Sequence, residues 1–438
     1  MILNRFIYSE LSPEEVNNLG RNRNKHMSSR PELLLKVENL LLELREKGES
    51  AILRMTRDFD GIDLQKLWID KTEIKAIAPE ISYDEAQAIQ IAYTNIERYH
   101  REQLKASSKI QTSPGINCWR ESRAIPCAGL YVPGGSAVLP STFLMLGIPA
   151  RIAGVPEIVV CSPPQKSGTV INRFIAYVAT LLNIDRIYTI GGVQAIAAMG
   201  FGLAGIPQVD KLFGPGNGYV TAAKQLIQQL ALVSIDMPAG PSEVLIIADE
   251  HSNPAFAAAD LLAQAEHGPD SQVILLSTSS HFLNKVNEEL MIQLPLLPRA
   301  EIASQALKNS FSMLTSTLEE AFSFSNQYAP EHLILLLERY EPWIPEIQSA
   351  GSVFLGSWAP ESAGDYATGT NHTLPTSGYA RMYSGLSVDS FQKQISFQHL
   401  NPLGLQHIGP TVEKLASIEG LEAHAEAVRI RLKALKNL

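Results

Sequence analysis

The chain has 438 residues and carries 36 Lys and Arg against 45 Asp and Glu, a formal net charge of −9 at pH 7. An acidic chain of this kind offers no basic face to nucleic acid or to an anionic membrane, and 45% hydrophobic content excludes a disordered polymer. A prior of about 150 residues per domain predicts roughly three units.

No run approaches the roughly 18 uninterrupted apolar residues of a membrane span. The opening Met-Ile-Leu-Asn-Arg-Phe has no apolar core of a secretory signal. Cys118, Cys127 and Cys161 are sparse and odd in number, so no disulfide framework is implied, and Cys161 in Glu157-Ile-Val-Val-Cys-Ser reads as a buried strand thiol. These features predict a soluble, cytoplasmic, catalytic protein.

In chain order, helical spacing predicts helices over 32–58, where Leu33, Val37, Leu40, Leu41 and Leu44 recur, and over 72–104. From residue 129 short apolar runs alternate with helical stretches. Strands are expected at 129–132, 157–161, 186–190 and 209–213, with helices near 140–153, 170–182, 193–202 and 217–230. That rhythm calls for a parallel sheet covered on both faces. A second series has strands at 243–248, 272–277, 333–337 and 352–355, and helices at 253–267, 281–292 and 317–328. The Gly-, Thr- and Ser-rich stretch 364–378 reads as a long functional loop. In the last fifty residues Leu421, Ala425, Val428, Leu432 and Leu435 form a helical stripe that must dock on the body or on another subunit.

Three glycine-rich turns follow strands and precede helices: Val132-Pro-Gly134-Gly135-Ser136, Gly191-Gly192-Val193-Gln194 and Phe213-Gly214-Pro-Gly216-Asn217-Gly218. Backbone N–H groups at such turns can cradle phosphates. None has Gly-x-Gly-x-x-Gly spacing, and plain tight turns remain an alternative. Gln264 and His267 lie three apart on one helical face and suit a metal, or else His267 simply favours a helix C-terminus. Glu331 and His332 are adjacent on a turn, where both can face one cleft as a base and its partner; a polar connection is the competing account. Asp365 and His372 in the long loop are either functional or turn formers. His424 on an apolar helix face reads by itself as a satisfied core histidine, and Glu419 as a solvated acid. The residues alone lead to an α/β enzyme that uses a nucleotide and a borderline metal such as zinc.

Six strings, in order along the chain, resemble histidinol dehydrogenases. They are Leu130-Tyr-Val-Pro-Gly-Gly-Ser-Ala137, Phe213-Gly-Pro-Gly-Asn217, Asp236-Met-Pro-Ala-Gly-Pro-Ser-Glu243, Gln264-Ala-Glu-His-Gly-Pro-Asp270, Ala329-Pro-Glu-His-Leu333 and Gly364-Asp-Tyr-Ala-Thr-Gly-Thr-Asn-His372. The resemblance thins only over the first twenty-five or so residues, and Thr368 stands where serine is common. It implies an oxidoreductase of amino-acid biosynthesis that converts L-histidinol to L-histidine with two NAD⁺ through a bound L-histidinaldehyde.

Carried over by position, Gln264, His267, Asp365 and His424 are implied zinc ligands, one ion per subunit. His332 is implied as general base and Glu331 as the group that activates water. Ser242, Gln264, His267, His332, Asp365, His372, Glu419 and His424 are implied at the substrate, and Tyr131, Gln194 and Asn217 at NAD. The family fold implies α/β architecture with two incomplete Rossmann-like domains. The expected division is an N-terminal segment 1–25, a discontinuous first domain 26–129 and 242–386, a second domain 130–241, and a C-terminal helical arm 387–438. A homodimer is expected in which each arm supplies His424 and Glu419 to the other subunit. The competing accounts are a dehydrogenase of another small alcohol, which would differ in its substrate contacts; a zinc hydrolase, which the three glycine turns oppose; and a non-catalytic module, which Glu331 and His332 oppose.

Overall fold

The computed structural model describes residues 2–20, 31–134, 138–166, 170–238 and 240–436. Two compact units result, one made of 1–103 with 125–391 and a smaller one of 104–124 with 392–438. Among the described residues no helix is long and apolar enough to cross a membrane.

The larger unit holds two six-stranded sheets. The first runs Asn4–Ile7, Phe311–Leu314, Gln272–Ser277, Glu243–Ala248, His332–Leu336, Ser352–Leu355, and every neighbouring pair is parallel. The second runs Trp68–Asp70, Arg186–Tyr188, Glu157–Cys161, Cys127–Tyr131, Lys211–Phe213, Ser234–Ile235, parallel except for the first pair. Taken in chain order, the five central parallel strands of each sheet follow the same 3-2-1-4-5 path, with a strand from the N-terminal region added at one edge. In such sheets the chain reverses direction between strands 1 and 4, and that switch point is where ligands bind. The switch falls between Glu243–Ala248 and His332–Leu336 in one sheet, and between Cys127–Tyr131 and Lys211–Phe213 in the other. Glu243–Ala248, His332–Leu336 and Cys127–Tyr131 are buried along their whole length, as expected of strands covered on both faces. The parallel-sheet architecture expected from the sequence is therefore present. Cys161 is a buried strand thiol, and all three cysteines are free.

The helix expected over 32–58 is broken. It forms Pro31–Lys47, then Glu49–Met55, then a π-turn over Thr56–Asp60, because Gly48 takes a φ of 55° that ends the first piece. The one expected over 72–104 divides into Lys71–Ile77 and Tyr83–Arg101 around Pro79, and Ser82 caps the second piece reciprocally with Glu85. In the smaller unit Gln392–Leu400 pairs antiparallel with Ile116–Ala124, which pairs in turn with Ile110–Ser113. Trp119 and Phe397 stack across the first of these pairs at 5.4 Å. Helices Pro402–Ile418 and Glu422–Leu435 form a hairpin around Gly420, whose φ is 73°.

Leu41 and Leu42 separate the two faces of the helix Pro31–Lys47: Leu41 is fully buried against the second sheet's core, whereas Leu42 is 39% exposed. Leu41→Ala is expected to cost about 2–5 kcal/mol and Leu42→Ala less than about 1 kcal/mol, measured by chemical denaturation. Equal losses would mean that this helix does not pack as described.

Candidate active site

The functional cluster lies at the N-terminal ends of the first sheet's switch-point strands. Ala329, in left-handed conformation at φ 53°, ends the helix Leu318–Tyr328 and turns the chain through Pro330 into His332–Leu336. A non-glycine residue in that conformation is strained by roughly 1 kcal/mol, the kind of cost found where function fixes a backbone. The turn points Glu331 and His332 inward, 6% and 4% exposed. Glu331 Oε2 accepts the Glu243 N–H at 2.9 Å. His332 Nδ1 faces the Glu243 carbonyl at 3.2 Å. That contact makes Nδ1 the N–H nitrogen and, in the neutral ring, leaves Nε2 as the proton acceptor.

Two helices close the cluster. Pro254–Ala265 presents Asp260 and Gln264 one turn apart, with His267 just beyond its end. The short helix Glu361–Tyr366 presents Glu361 and Asp365, also one turn apart, and the Glu361 N–H donates to the Asp260 carboxylate. The ligand atoms of His267, Glu361 and Asp365 lie within 4.8 Å of one another. With its amide oriented to satisfy both ends, Gln264 donates to the Glu361 carboxylate and accepts the Glu243 N–H at 2.8 Å. His332 is ringed by acids, with Glu331 Oε2 3.7 Å and Glu361 Oε1 3.5 Å from Nδ1, and Asp365 Oδ1 3.5 Å from Nε2. His372 Nδ1 bonds the Asp365 carbonyl at 2.8 Å and its Nε2 meets Thr142 Oγ1 at 3.1 Å. Ser242 directly precedes the Glu243 strand.

Burial dominates the electrostatics. It pushes Glu331 up to about 7, against the opposing pull of His332. Burial also drives Glu361 well above its usual range. For His332 burial works downward but is outweighed by Glu361, Glu331 and Asp365, which together raise it to about 10. His267 and His372 are held down by burial, hence neutral and able to act as ligands. Three carboxyl groups around one imidazole therefore share their protons with it, Glu361 and Glu331 holding on to theirs and His332 gaining one. Imidazole, carboxylate and amide donors in one cluster fit a borderline divalent cation such as zinc.

The residues expected at a dinucleotide gather at the second sheet. Tyr131 ends its strand, and its hydroxyl accepts the Gly192 N–H at 3.2 Å. Gln194 is buried in the first turn of the next helix. Asn217 caps the helix Gly218–Leu230, its Oδ1 accepting from the N–H groups of Tyr219 and Val220 at 3.1 Å each. Gly135 and Ser136 of the first glycine turn lie outside the described residues.

Glu419 and His424 belong to the smaller unit. Glu419 follows the helix Pro402–Ile418, and His424 sits in the first turn of the next helix. Both are exposed, so His424 is not the core histidine that its apolar stripe suggested: its face is covered at Ala425 and open at His424 itself. Sequence reasoning missed Glu361, Asp260 and Glu243. The first two stand four residues before Asp365 and Gln264, an i,i+4 spacing that could have signalled them.

Two parallel α/β sheets with matching switch points, one bearing glycine turns and the other a buried acid–imidazole cluster, define an enzyme of the nucleotide-using oxidoreductase class. Comparison with known proteins agrees and is more specific. A family model described as histidinol dehydrogenase matches residues 22–432. A chloroplastic histidinol dehydrogenase of Arabidopsis thaliana is 48% identical over 430 residues, 98% of this chain and 91% of that protein. A histidinol dehydrogenase of Xylella fastidiosa is 50% identical over 396 residues, covering 90% of this chain and 92% of its own length. The crystal structure of histidinol dehydrogenase from Elizabethkingia anophelis superposes with a TM-score of 0.94 at 49% identity, covering 99% of both chains. The chain belongs to the histidinol dehydrogenase family.

Asp260, 7% exposed, is raised from 3.8 to about 6, chiefly by burial. A raised carboxyl costs nothing while protonated in both folded and unfolded chains; the cost grows as pH climbs from about 4 and is complete above about 6. Asp260→Asn keeps an acceptor for the Glu361 N–H and cannot ionise. It is expected to stabilise the fold by up to about 3 kcal/mol at pH 8, with the gain falling to about 1 kcal/mol near pH 4.5 and toward zero below about pH 4. A gain independent of pH in thermal melts would assign the effect to something other than ionisation.

Proposed function

We propose that the chain catalyses the last step of histidine biosynthesis, the NAD-dependent oxidation of L-histidinol to L-histidine through a bound L-histidinaldehyde. The observation that carries this reading is the pairing of His332, its Nδ1 committed to the Glu243 carbonyl, with Glu331 held near neutrality beside it. In the first half-reaction His332 Nε2 takes the alcohol proton as the carbinol loses hydride. In the second, once His332 has released its proton, the Glu331 carboxylate takes a proton from water as it adds to the aldehyde, and His332 takes the hydroxyl proton of the hydrate as its carbon loses a second hydride to a second NAD.

Two bound groups would complete the chemistry: Tyr131, Gln194 and Asn217 would hold NAD, which supplies a hydride acceptor, and Gln264, His267, Asp365 and His424 of a second copy would hold zinc, one per subunit, which supplies a Lewis acid to orient the substrate. A cation held in this cluster would favour the deprotonated forms of its neighbours and so lower His332 toward a neutral imidazole with Nε2 as acceptor. Ser242 and His372 flank the cluster as substrate contacts, with Glu419 of the second copy as a carboxylate for the substrate amine. Retaining the aldehyde between oxidations protects it from side reactions.

The homodimer with exchanged arms is supported by the surface of the C-terminal helices. Leu403, Leu415, Ile418, Leu421 and Ile430 are 44–69% exposed, and His424 and Glu419 lie on the same hairpin without cover from its own unit. The sequence favours the cytoplasm, and the Arabidopsis relative is named chloroplastic.

The expected stoichiometry is two NADH per L-histidinol, lost on chelation and restored by zinc. His332→Asn is expected to lower kcat by about 10²–10⁴ in both half-reactions, and Glu331→Gln to stall chiefly the second. One NADH with released aldehyde from the native enzyme would remove the role given to Glu331. A protein that turns over another small alcohol in place of histidinol would overturn the substrate.

Because Glu331 is raised to about 7, its carboxylate form grows as pH passes upward through 7. Oxidation of supplied L-histidinaldehyde is therefore expected to climb about tenfold per pH unit below 7 and to flatten above about 8. A flat profile from pH 5.5 to 8 would refute that assignment. For the exchanged arm, His332→Asn and His424→Asn chains refolded together are expected to recover about a quarter of native activity, since half of the dimers then contain one intact site. No recovery would place His424 in its own subunit's site.

A further inference from the structure

The turn Gly214–Asn217 is held by a buried ion pair that no catalytic role described above uses. Lys224 and Asp236 have side chains 5% and 1% exposed and meet at 2.5 Å. Lys224 Nζ also donates to the Gly214 carbonyl at 2.8 Å, while Asp236 Oδ2 accepts the Gly214 N–H at 2.9 Å. Asp236 Oδ1 further accepts the Met237 N–H at 2.6 Å. Both backbone polar groups of one glycine are thus taken by the two members of one ion pair. The pair comes from separate elements, Lys224 from the helix that follows the turn and Asp236 from just beyond the edge strand Ser234–Ile235.

Gly214 is the residue that needs such holding. Its φ of 122° is open to glycine alone, and a Cβ there would lie 2.1 Å from the Tyr131 carbonyl oxygen. The clamp therefore presses the start of the turn directly onto the end of the Tyr131 strand. This is the second sheet's switch point, where Tyr131 in turn receives the Gly192 N–H. Lys211, the other cation near Asp236, donates to the Ser390 carbonyl at 2.9 Å and is committed elsewhere. A buried ion pair is a poor source of stability compared with apolar residues of similar volume, but it is directional. Here its direction sets the plane of the Gly214 peptide groups.

We infer that Lys224 and Asp236 are positioning residues for the dinucleotide. They orient Gly214 so that Tyr131 and Asn217 form one preorganised seat for NAD. The inference rests on the assignment of NAD to this crevice. Neither residue touches the reacting atoms; both act through the shape of the turn.

The test measures NAD and NADH binding by calorimetry and by NADH fluorescence, alongside steady-state kinetics, for the native zinc-loaded enzyme, Lys224→Met and Asp236→Asn. Lys224→Met is expected to weaken NAD binding and raise its KM by about tenfold or more, through lost preorganisation, with zinc content and the KM for L-histidinol within about twofold of native. Asp236→Asn keeps acceptors for the N–H groups of Gly214 and Met237 and is expected to fall between the two. A folded Lys224→Met enzyme that melts earlier yet binds NAD as the native enzyme does would overturn the inference, because the pair would then be structural alone. If Lys224→Met does not fold, Asp236→Asn decides: weakened NAD binding supports the inference and native binding overturns it. A native enzyme that binds no NAD would instead bring down the cofactor assignment, and the positioning role with it.

Discussion

The parallel pairing of Glu243–Ala248 with His332–Leu336 is the constraint on which the centre depends. Its register sets Val244 beside His332, so Glu243 and Glu331 stand one step earlier at the mouth of the sheet. From there the Glu243 N–H reaches the Glu331 carboxylate and the Glu243 carbonyl reaches His332 Nδ1. One residue's two backbone groups thus fix the acid and the tautomer of the base together. Because side chains alternate along a strand, a slip of one residue would send His332 to the opposite face. The Glu331–His332 pair is therefore as rigid as the sheet, and both strands are buried throughout.

The same strand path occurs twice in the larger unit, but opposite ends of it are used. In the second sheet the glycine turns lie at the C-terminal ends of the strands, where parallel sheets ordinarily bind nucleotides. In the first sheet the acids and His332 lie at the N-terminal ends. The two are connected through Thr142, in the first turn of the helix Pro140–Ala153 that leaves the second sheet, and His372, which bonds the Asp365 carbonyl. Asn371 reinforces that link, donating to the Met145 carbonyl at 2.7 Å while its Nδ2 lies 3.3 Å from Nε2 of the buried His100. Hydride transfer needs a cofactor and a base on two sides of one carbon, and in the proposed reading a pair of sheets used at opposite ends would supply those sides. The second sheet's switch point has no Gly-x-Gly-x-x-Gly; there Gly214 packs against the end of the Tyr131 strand instead.

The parts of the fold written locally were legible in the sequence. Continuous apolar runs such as Glu243–Ala248 and Gln272–Ser277 announce strands buried on both faces, and helical spacing located Pro254–Ala265 and Leu318–Tyr328. What was not legible depends on distant partners. Asn4–Ile7 is a strand because it pairs with Phe311–Leu314, and Gln392–Leu400 because it pairs with Ile116–Ala124 across some 270 residues of chain. Its mostly polar sequence, open to water on much of its length, carries no periodic signal. At the site, adjacent Glu331 and His332 could be read from the sequence. Glu361 was signalled only by its i,i+4 spacing to Asp365, and the loop-like composition of 364–378 hid it, whereas Glu361–Tyr366 is a helix whose first N–H donates to the Asp260 carboxylate.

Charge explains why this cluster is built so deeply. Glu331, Glu361 and Asp365 would repel one another in isolation, and burial makes each charge costlier. The protein answers with His332 in their midst, with the Glu243 N–H on Glu331, and with neutral His267 and His372 at the border. The remaining repulsion shows in the raised Glu361 and Glu331 carboxyls. A cation held by these donors would therefore shift the protons of the whole cluster rather than those of one group.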